Sequence, residues 1–135
     1  MRILRIDSSA KTKTSESRCL TDRIIDGLQA SGKSPEVTVR DLNERLPQVD
    51  NAWIEANNTP ADDHTDEQRK TLLLSDKLVA EIEVADTLII GGTQFGSDID
   101  FASGYLQHIL SFIGITDVTF ISADKHFMDS QSLTN

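Results

Sequence analysis

The fold of this protein is decided by its first regular elements, which read RILRIDSSAKTKTSESRCL from Arg2 to Leu20. The stretch opens with the largely apolar segment Ile3–Ile6, continues through a polar segment, and then becomes amphipathic. This order predicts a strand, a loop and a helix, which together begin a βαβ unit. The loop, from Asp7 to Ser17, is unusually rich in serine and threonine.

The same alternation continues along the chain. Apolar residues at helical spacing indicate a first helix that ends near Gly32, and a capping box at Thr65 and Gln68 opens a second helix that runs to about Val84. Asp41–His64 shows little periodicity and is interpreted as a long loop with one short helical turn around Trp53. Further strands are predicted at Glu36–Arg40, Thr87–Ile90 and Val118–Ile121, and the last helix is predicted over Phe101–Ile113.

Apolar side chains are expected to form the buried face of each helix. The three sets are Leu20, Ile24, Ile25 and Leu28 in the first helix, Leu74, Leu78 and Ile82 in the second, and Phe101, Tyr105, Leu106, Ile109, Leu110 and Ile113 in the last. Strands that alternate with such helices form a parallel sheet covered on both faces. We therefore expect one α/β domain over residues 1–135, a three-layer sandwich with a short parallel sheet of four strands. The remaining tail, which follows Ile121 and extends to Asn135, gives little sign of order.

Charge and composition limit the possible partners. The 135 residues carry a net charge of -9, and a protein that binds nucleic acid needs clustered Lys and Arg, so no nucleic-acid partner is expected. No apolar run approaches the length of a membrane span, and no signal peptide is visible. Cys19 is the only cysteine, which agrees with a reducing compartment. We expect a soluble, cytoplasmic protein.

The loop from Asp7 to Ser17 is the candidate for chemistry. In open parallel sheets ligands bind beyond the carboxyl ends of the strands, and the loop after the first strand commonly holds a phosphate. Its hydroxyls, together with the N–H groups that begin the next helix, can bind a phosphate dianion without a lysine. The loop lacks the Gly-Lys-Ser/Thr ending of a Walker sequence, so a nucleoside triphosphate is not expected. The alternative is that the serines only cap the helix and solvate the loop.

Two other features leave alternatives open. Gly91-Gly92 follows a strand and either lets backbone approach a flat ligand closely or forms a tight turn that needs positive φ. Cys19 is interpreted as a small buried thiol in preference to a nucleophile. The three histidines show no ligand spacing, so no metal site is expected, and no catalytic side chain is assigned.

Five short motifs carry a resemblance to a known family. In chain order they are Ser8-Ser9, Ser15-Glu16-Ser17, Val39-Arg40-Asp41-Leu42, Leu74-Ser75-Asp76-Lys77-Leu78 and Phe112-Ile113-Gly114-Ile115-Thr116-Asp117-Val118. This order resembles that of the FMN-dependent NADH-azoreductases, which are homodimeric flavodoxin-like reductases of quinones and azo dyes, once described as acyl carrier protein phosphodiesterases. The resemblance extends from Arg2 to Ala123.

The resemblance implies a flavodoxin-like fold, FMN as cofactor, and ping-pong hydride transfer from NADH or NADPH to a quinone or an azo compound. It also implies that Ser9, Ser15, Glu16 and Ser17 hold the FMN phosphate, Glu16 through its backbone, and that Gly91 and Gly92 lie at the flavin ring.

The sequence departs from the family in one respect. The family places the flavin ring on two loops, of which the first has a Pro-Met-Tyr-Asn-Phe type sequence and the second a Gly-Gly. In this sequence only the second loop is found, at Gly91-Gly92, because the spacing from Gly91 to Val118 matches that of the family. The strand before it, Thr87–Ile90, follows directly on Ala85-Asp86 and leaves no room for the first loop. The first loop, the helix after it and one strand are expected to be absent. The alternative function is therefore a non-catalytic flavodoxin-like binding or dimerisation module.

Overall fold

The computed structural model describes residues 1–11, 13–44, 46–92 and 102–121. Its elements follow in the order β1 (Arg2–Asp7), α1 (Glu16–Ala30), β2 (Glu36–Asp41), α2 (Asn51–Asn58), a 3-10 turn (Ala61–Asp63), α3 (Asp66–Val84), β3 (Thr87–Gly91) and α4 (Ala102–Phe112). The three strands form one parallel sheet in the order β2-β1-β3. The predicted alternation of strands and helices is thus confirmed for these residues.

Helices cover both faces of this sheet, because successive side chains of a strand point to opposite sides. On one face, Arg5 and Asp7 of β1 form ion pairs with Asp22 and Arg18 of α1. On the other face lies Arg40 of β2, which is in register with Ile6 and pairs with Glu81 of α3. The expected three-layer arrangement is therefore present, with α1 and α3 as its outer layers.

The core lies mainly around β1, the central strand. Ile3 and Leu4 are almost fully buried, and Ile25 of α1 and Leu72 of α3 pack from the two outer layers. The predicted stripe of α1 is confirmed, since Ile25 is buried and its other members are half-buried. In α3 the prediction was partly wrong, because Leu72 is the buried residue and Ile82 is exposed.

The segment between β2 and α3 contains more helix than predicted. The expected single turn around Trp53 is the eight-residue helix α2, capped by the Asp50 side chain, which accepts from the Trp53 N–H at 2.9 Å. Trp53 Nε1 donates to Ser75 Oγ of α3 at 3.1 Å, and Ala56 is completely buried. Helix α2 is stabilised by docking on α3, and this contact has no signature in the local sequence.

The fourth strand predicted over Val118–Ile121 does not form, since this segment takes no regular structure. An open groove of about 1080 Å³ separates it from β3, with β3 and the end of α3 on one side and α4 and residues 115–121 on the other. A strand requires hydrogen bonds to a neighbouring strand, and no strand of the described residues pairs with this segment. The prediction of four strands was therefore wrong for the described part of the chain.

The groove also explains the exposure of α4. The residues predicted to be buried are largely exposed, among them Tyr105 at 67% and Ile113 at 55%, while Phe101 lies outside the described residues. The helix ends as expected at Gly114, whose φ is +92°. The helical spacing was therefore interpreted correctly, but the three strands of the described residues leave this stripe largely exposed.

Gly91 lies at the point where the sheet and α1 approach most closely. It is in register with Asp7, and a Cβ on Gly91 would lie 3.1 Å from Thr21 Cγ2 and 3.3 Å from Asp7 Oδ1. We predict that Gly91→Ala lowers the free energy of unfolding by about 1–3 kcal/mol, because these neighbours must shift. Urea denaturation measures the change.

Gly27→Ala is the matched control, since a Cβ at this position of α1 meets nothing within 4 Å. Alanine is the better helix former, so the control should be about 0.5–1 kcal/mol more stable than wild type. Equal unfolding midpoints for Gly91→Ala and wild type would show that the close approach is not a constraint.

Candidate phosphate-binding site

The serine-rich loop lies at the carboxyl end of β1 and leads directly into α1. Ser15 is the N-cap of the helix, and its Oγ accepts from the Arg18 N–H at 3.3 Å. The hydroxyls of Ser15 and Ser17 are 3.0 Å apart. The N–H groups of Glu16 and Ser17 belong to the first helical turn, where backbone donors have no partner within the helix. Two hydroxyls and two amides therefore meet at the positive end of the α1 dipole.

Ser9 is fixed on the buried side of the same loop. It is 8% exposed, and its carbonyl oxygen accepts two hydrogen bonds, from Arg18 Nη2 at 3.0 Å and from Asn43 Nδ2 at 2.9 Å. A carbonyl with both lone pairs occupied is held in one orientation. The loop is therefore held in place before any ligand arrives.

The end of β3 joins the loop directly. Both the N–H and the hydroxyl of Ser8 donate to the Gly91 carbonyl, at 3.0 and 2.9 Å. A Cβ on Gly91 would lie 3.6 Å from the Ser17 carbonyl, and one on Gly92 would lie 3.4 Å from Ser8 Oγ. The structure thus brings Gly91-Gly92 to the same edge of the sheet as the predicted phosphate loop.

The interpretation of Gly91-Gly92 as a turn with positive φ was wrong. Among the described glycines only Gly32 and Gly114 have positive φ. A glycine is needed at position 91 because other groups approach its backbone closely. These groups are the side chains of Asp7 and Thr21 of this chain. Whether a flavin also approaches here stays a prediction.

A cluster of charges beneath the loop was missed by the sequence analysis. Asp7 is 2% exposed and is paired with two guanidinium groups, with Arg5 Nε at 2.9 Å and Arg18 Nη1 at 3.2 Å. Arg18 Nη2 also reaches Asp41 Oδ1 at 2.8 Å. The sequence does contain a signal for this cluster. Arg5 and Asp7 alternate with Leu4 and Ile6 in a strand, so the two charged side chains lie on the same face of the sheet.

The hydrogen bonds that Asp41 accepts favour its ionised form. The hydrogen bond from the Arg18 guanidinium lowers the pKa of the Asp41 carboxyl, and the Asn43 N–H, which donates to Asp41 Oδ1 at 3.0 Å, lowers it further. The same contact with Asp41 raises the pKa of Arg18. The loop after β2 is thereby tied to the loop after β1.

Cys19 was interpreted wrongly. It is exposed on the first turns of α1, because the helix turns Thr21 and Ile25 inward instead. A free cysteine is usually buried, but whether Cys19 is buried depends on which side of α1 faces the sheet.

Comparison with known proteins identifies the fold. The family model described as the flavodoxin-like fold matches residues 1–93. A crystal structure of an azoreductase from Bacillus anthracis str. Sterne superposes with a TM-score of 0.56 at 21% identity, covering 67% of this chain and 45% of that one. The match therefore covers less than half of that structure, and the predicted flavodoxin-like class is confirmed.

Relatives of similar sequence have more specific names. One from Jannaschia sp. (strain CCS1), named FMN-dependent NADH:quinone oxidoreductase 1, is 43% identical, with 94% of this chain and 90% of that protein covered. A protein of the same name from Colwellia psychrerythraea is 38% identical, with 100% of this chain and 96% of that protein covered.

The length of these alignments confirms the expected loss of an internal segment. The alignment with the Jannaschia protein extends over 176 positions, whereas this chain has 135 residues, so at least 41 positions have no counterpart here. Because nearly the whole of both chains is covered, these positions lie between matched segments.

The depressed pKa of Asp41 predicts a specific pH dependence. A carboxyl whose pKa is lower in the folded than in the unfolded state stabilises the fold above the unfolded value, about 3.9, and this stabilisation is lost as the pH falls through the folded value. Asp41→Asn should therefore unfold at lower urea concentration than wild type at pH 7. The difference should shrink as the pH is lowered below about 4.

Asp76→Asn, an exposed position in the middle of α3, serves as the control and should follow wild type at every pH. A difference between Asp41→Asn and wild type that stays constant from pH 7 down to pH 3 would contradict the assignment.

Proposed function

We propose that this chain, which belongs to the flavodoxin-like family of the FMN-dependent NADH:quinone oxidoreductases, is itself an FMN-dependent NAD(P)H oxidoreductase that reduces quinones and azo compounds. The single observation that carries the proposal is the loop at the start of α1. There hydroxyls and unpaired helical N–H groups converge, and a buried charge network fixes the loop from below.

The residues present fit the phosphate end of FMN. A phosphate dianion needs several donors at the positive end of a helix, and we propose that the hydroxyls of Ser9, Ser15 and Ser17 and the backbone of Glu16 supply them. Gly91 and Gly92 border this site without a Cβ, and we propose that they leave space for the flavin. The hydride transfer from NAD(P)H to the acceptor, in the two half-reactions of a ping-pong cycle, would be supplied by the flavin.

A second candidate function follows from the side of the site that would face the flavin ring. The chain lacks an internal segment of its relatives, and an open groove lies beside β3, bordered by Ser8 and Gly92. These observations favour a second candidate, a flavodoxin-like binding module that keeps the phosphate loop without catalysis. The two functions differ in whether the bound flavin is reduced by NADH.

Flavin binding tests the proposal directly. Purified protein reconstituted with FMN should be yellow, should unfold at higher temperature with FMN than without, because a ligand of the native state alone stabilises it, and should catalyse NADH-dependent quinone reduction. Ser17→Ala should weaken FMN binding by about ten- to a hundredfold through the loss of one hydrogen bond to a charged group. Fluorescence titration measures the affinity.

Ser34→Ala, an exposed position outside the site, is the control and should bind FMN as wild type does. A folded protein with no bound flavin spectrum and no NADH-dependent activity would exclude the oxidoreductase. Bound flavin without reduction by NADH would identify the non-catalytic module.

We also propose a cytoplasmic homodimer of single-domain subunits, with no nucleic-acid or membrane partner. The net charge of -9 disfavours nucleic acid, and among the described helices none is long and apolar enough to cross a membrane. Large apolar side chains on and beside α4 are exposed, Phe112 at 85% and Tyr105 at 67%, and apolar surface of this kind favours association.

Light scattering coupled to size-exclusion chromatography tests the dimer. Wild type should have the mass of two chains, and Phe112→Glu should shift it toward one by placing a charge in the apolar surface. Val49→Glu, at a position 65% exposed outside α4, should leave the mass unchanged. A wild-type protein of one-chain mass at all concentrations would refute the dimer.

A further inference from the structure

The peptide that joins Ser9 to Ala10 is held by two side chains from outside the loop. Its carbonyl oxygen accepts from Arg18 Nη2 at 3.0 Å and from Asn43 Nδ2 at 2.9 Å. One donor comes from α1 and the other from the loop after β2. Neither side chain was assigned a role by the sequence analysis.

Both donors are themselves anchored. The Arg18 guanidinium is paired with Asp7 at 3.2 Å and with Asp41 at 2.8 Å, and Asp7 is almost fully buried. The Asn43 backbone N–H donates to Asp41 Oδ1 at 3.0 Å, and the Leu42 N–H donates to the Asp7 carbonyl at 2.8 Å. The Ser9 carbonyl is therefore held by groups fixed to the ends of two adjacent strands.

The orientation of this carbonyl has a consequence on the opposite side of the peptide. In a trans peptide the C=O and the following N–H point in opposite directions, and the described chain has no cis peptide. The Ser9 carbonyl points toward Arg18 and Asn43, so the Ala10 N–H points away from them. Ala10 is exposed, which agrees with an N–H on the open side of the loop.

We propose that Arg18 and Asn43 are positioning residues of the phosphate site, and that they orient the Ser9–Ala10 peptide so that the Ala10 N–H serves as a further phosphate donor. The inference rests on the proposed function, because the phosphate is that of the flavin. Arg18 acts from beneath the loop through its hydrogen bonds and does not touch the ligand. Part of the phosphate recognition is thereby assigned to the backbone N–H of Ala10, a donor that the pattern of side chains in the sequence does not predict.

The experiment uses the full chain labelled with 15N, titrated separately with inorganic phosphate, FMN and riboflavin, which lacks the phosphate. In wild type, phosphate and FMN should shift the Ala10 amide resonance, and riboflavin should not. Asn43→Ala should weaken the affinity for phosphate and FMN about threefold and Arg18→Lys about tenfold, since one net hydrogen bond changes an equilibrium by roughly these factors. Riboflavin affinity should not change.

Two controls separate positioning from general stability. Asn57→Ala and Arg69→Lys alter the same residue types at exposed positions of α2 and α3 and should leave all three affinities unchanged. Asn43 is itself exposed, so its alanine variant tests the inference even if Arg18→Lys does not fold.

The outcomes are distinct. An Ala10 amide that responds to neither phosphate nor FMN would overturn the inference, and so would an equal loss of FMN and riboflavin affinity in Asn43→Ala. If inorganic phosphate shifts Ala10 and the variants weaken that shift, but FMN does not bind, the positioning role stands and the proposed flavin function fails.

Discussion

The buried carboxylate of Asp7 is the constraint on which the rest of the structure depends. A charge that is 2% exposed is tolerated only when it is paired and hydrogen-bonded, and here Arg5 and Arg18 both meet it. Removal of one partner from a buried ion pair typically costs about 3–5 kcal/mol. The pairing therefore fixes where α1 lies on the sheet, since Arg18 is in its first turn.

This one carboxylate also organises the loops at the carboxyl edge. Its backbone carbonyl receives the Leu42 N–H from the segment after β2, its side chain lies close to the position where a Cβ on Gly91 would stand, and its partner Arg18 extends to Asp41 and Ser9. The carboxyl ends of all three strands thus meet around a single ion cluster. For the phosphate site proposed at this loop, such a support would reduce the cost of ordering the loop when a ligand binds.

Beyond β3, in contrast to the carboxyl ends of the strands, the structure is open. That strand forms one edge of the sheet, and the groove next to it separates it from α4 and residues 115–121. The relatives contain at least 41 alignment positions that this chain lacks. The loop after β1 is therefore tied to its neighbours by several hydrogen bonds and ion pairs, while the apolar stripe of α4 is left largely exposed.

The sequence by itself determined the local elements and their order. Periodicity predicted α1, α3 and the three strands, the Thr65–Gln68 capping box is present as expected, and the motifs identified the family, because propensity, caps and alternation are properties of neighbouring residues. Only the tertiary structure decided that α2 is a full helix docked through Trp53, that Val118–Ile121 forms no strand, and that Cys19 is exposed. It alone also revealed the Asp7, Arg18, Asp41 and Asn43 network beneath Ser9. These features depend on contacts between residues distant in the chain, and a local pattern carries no information about which partner will be there.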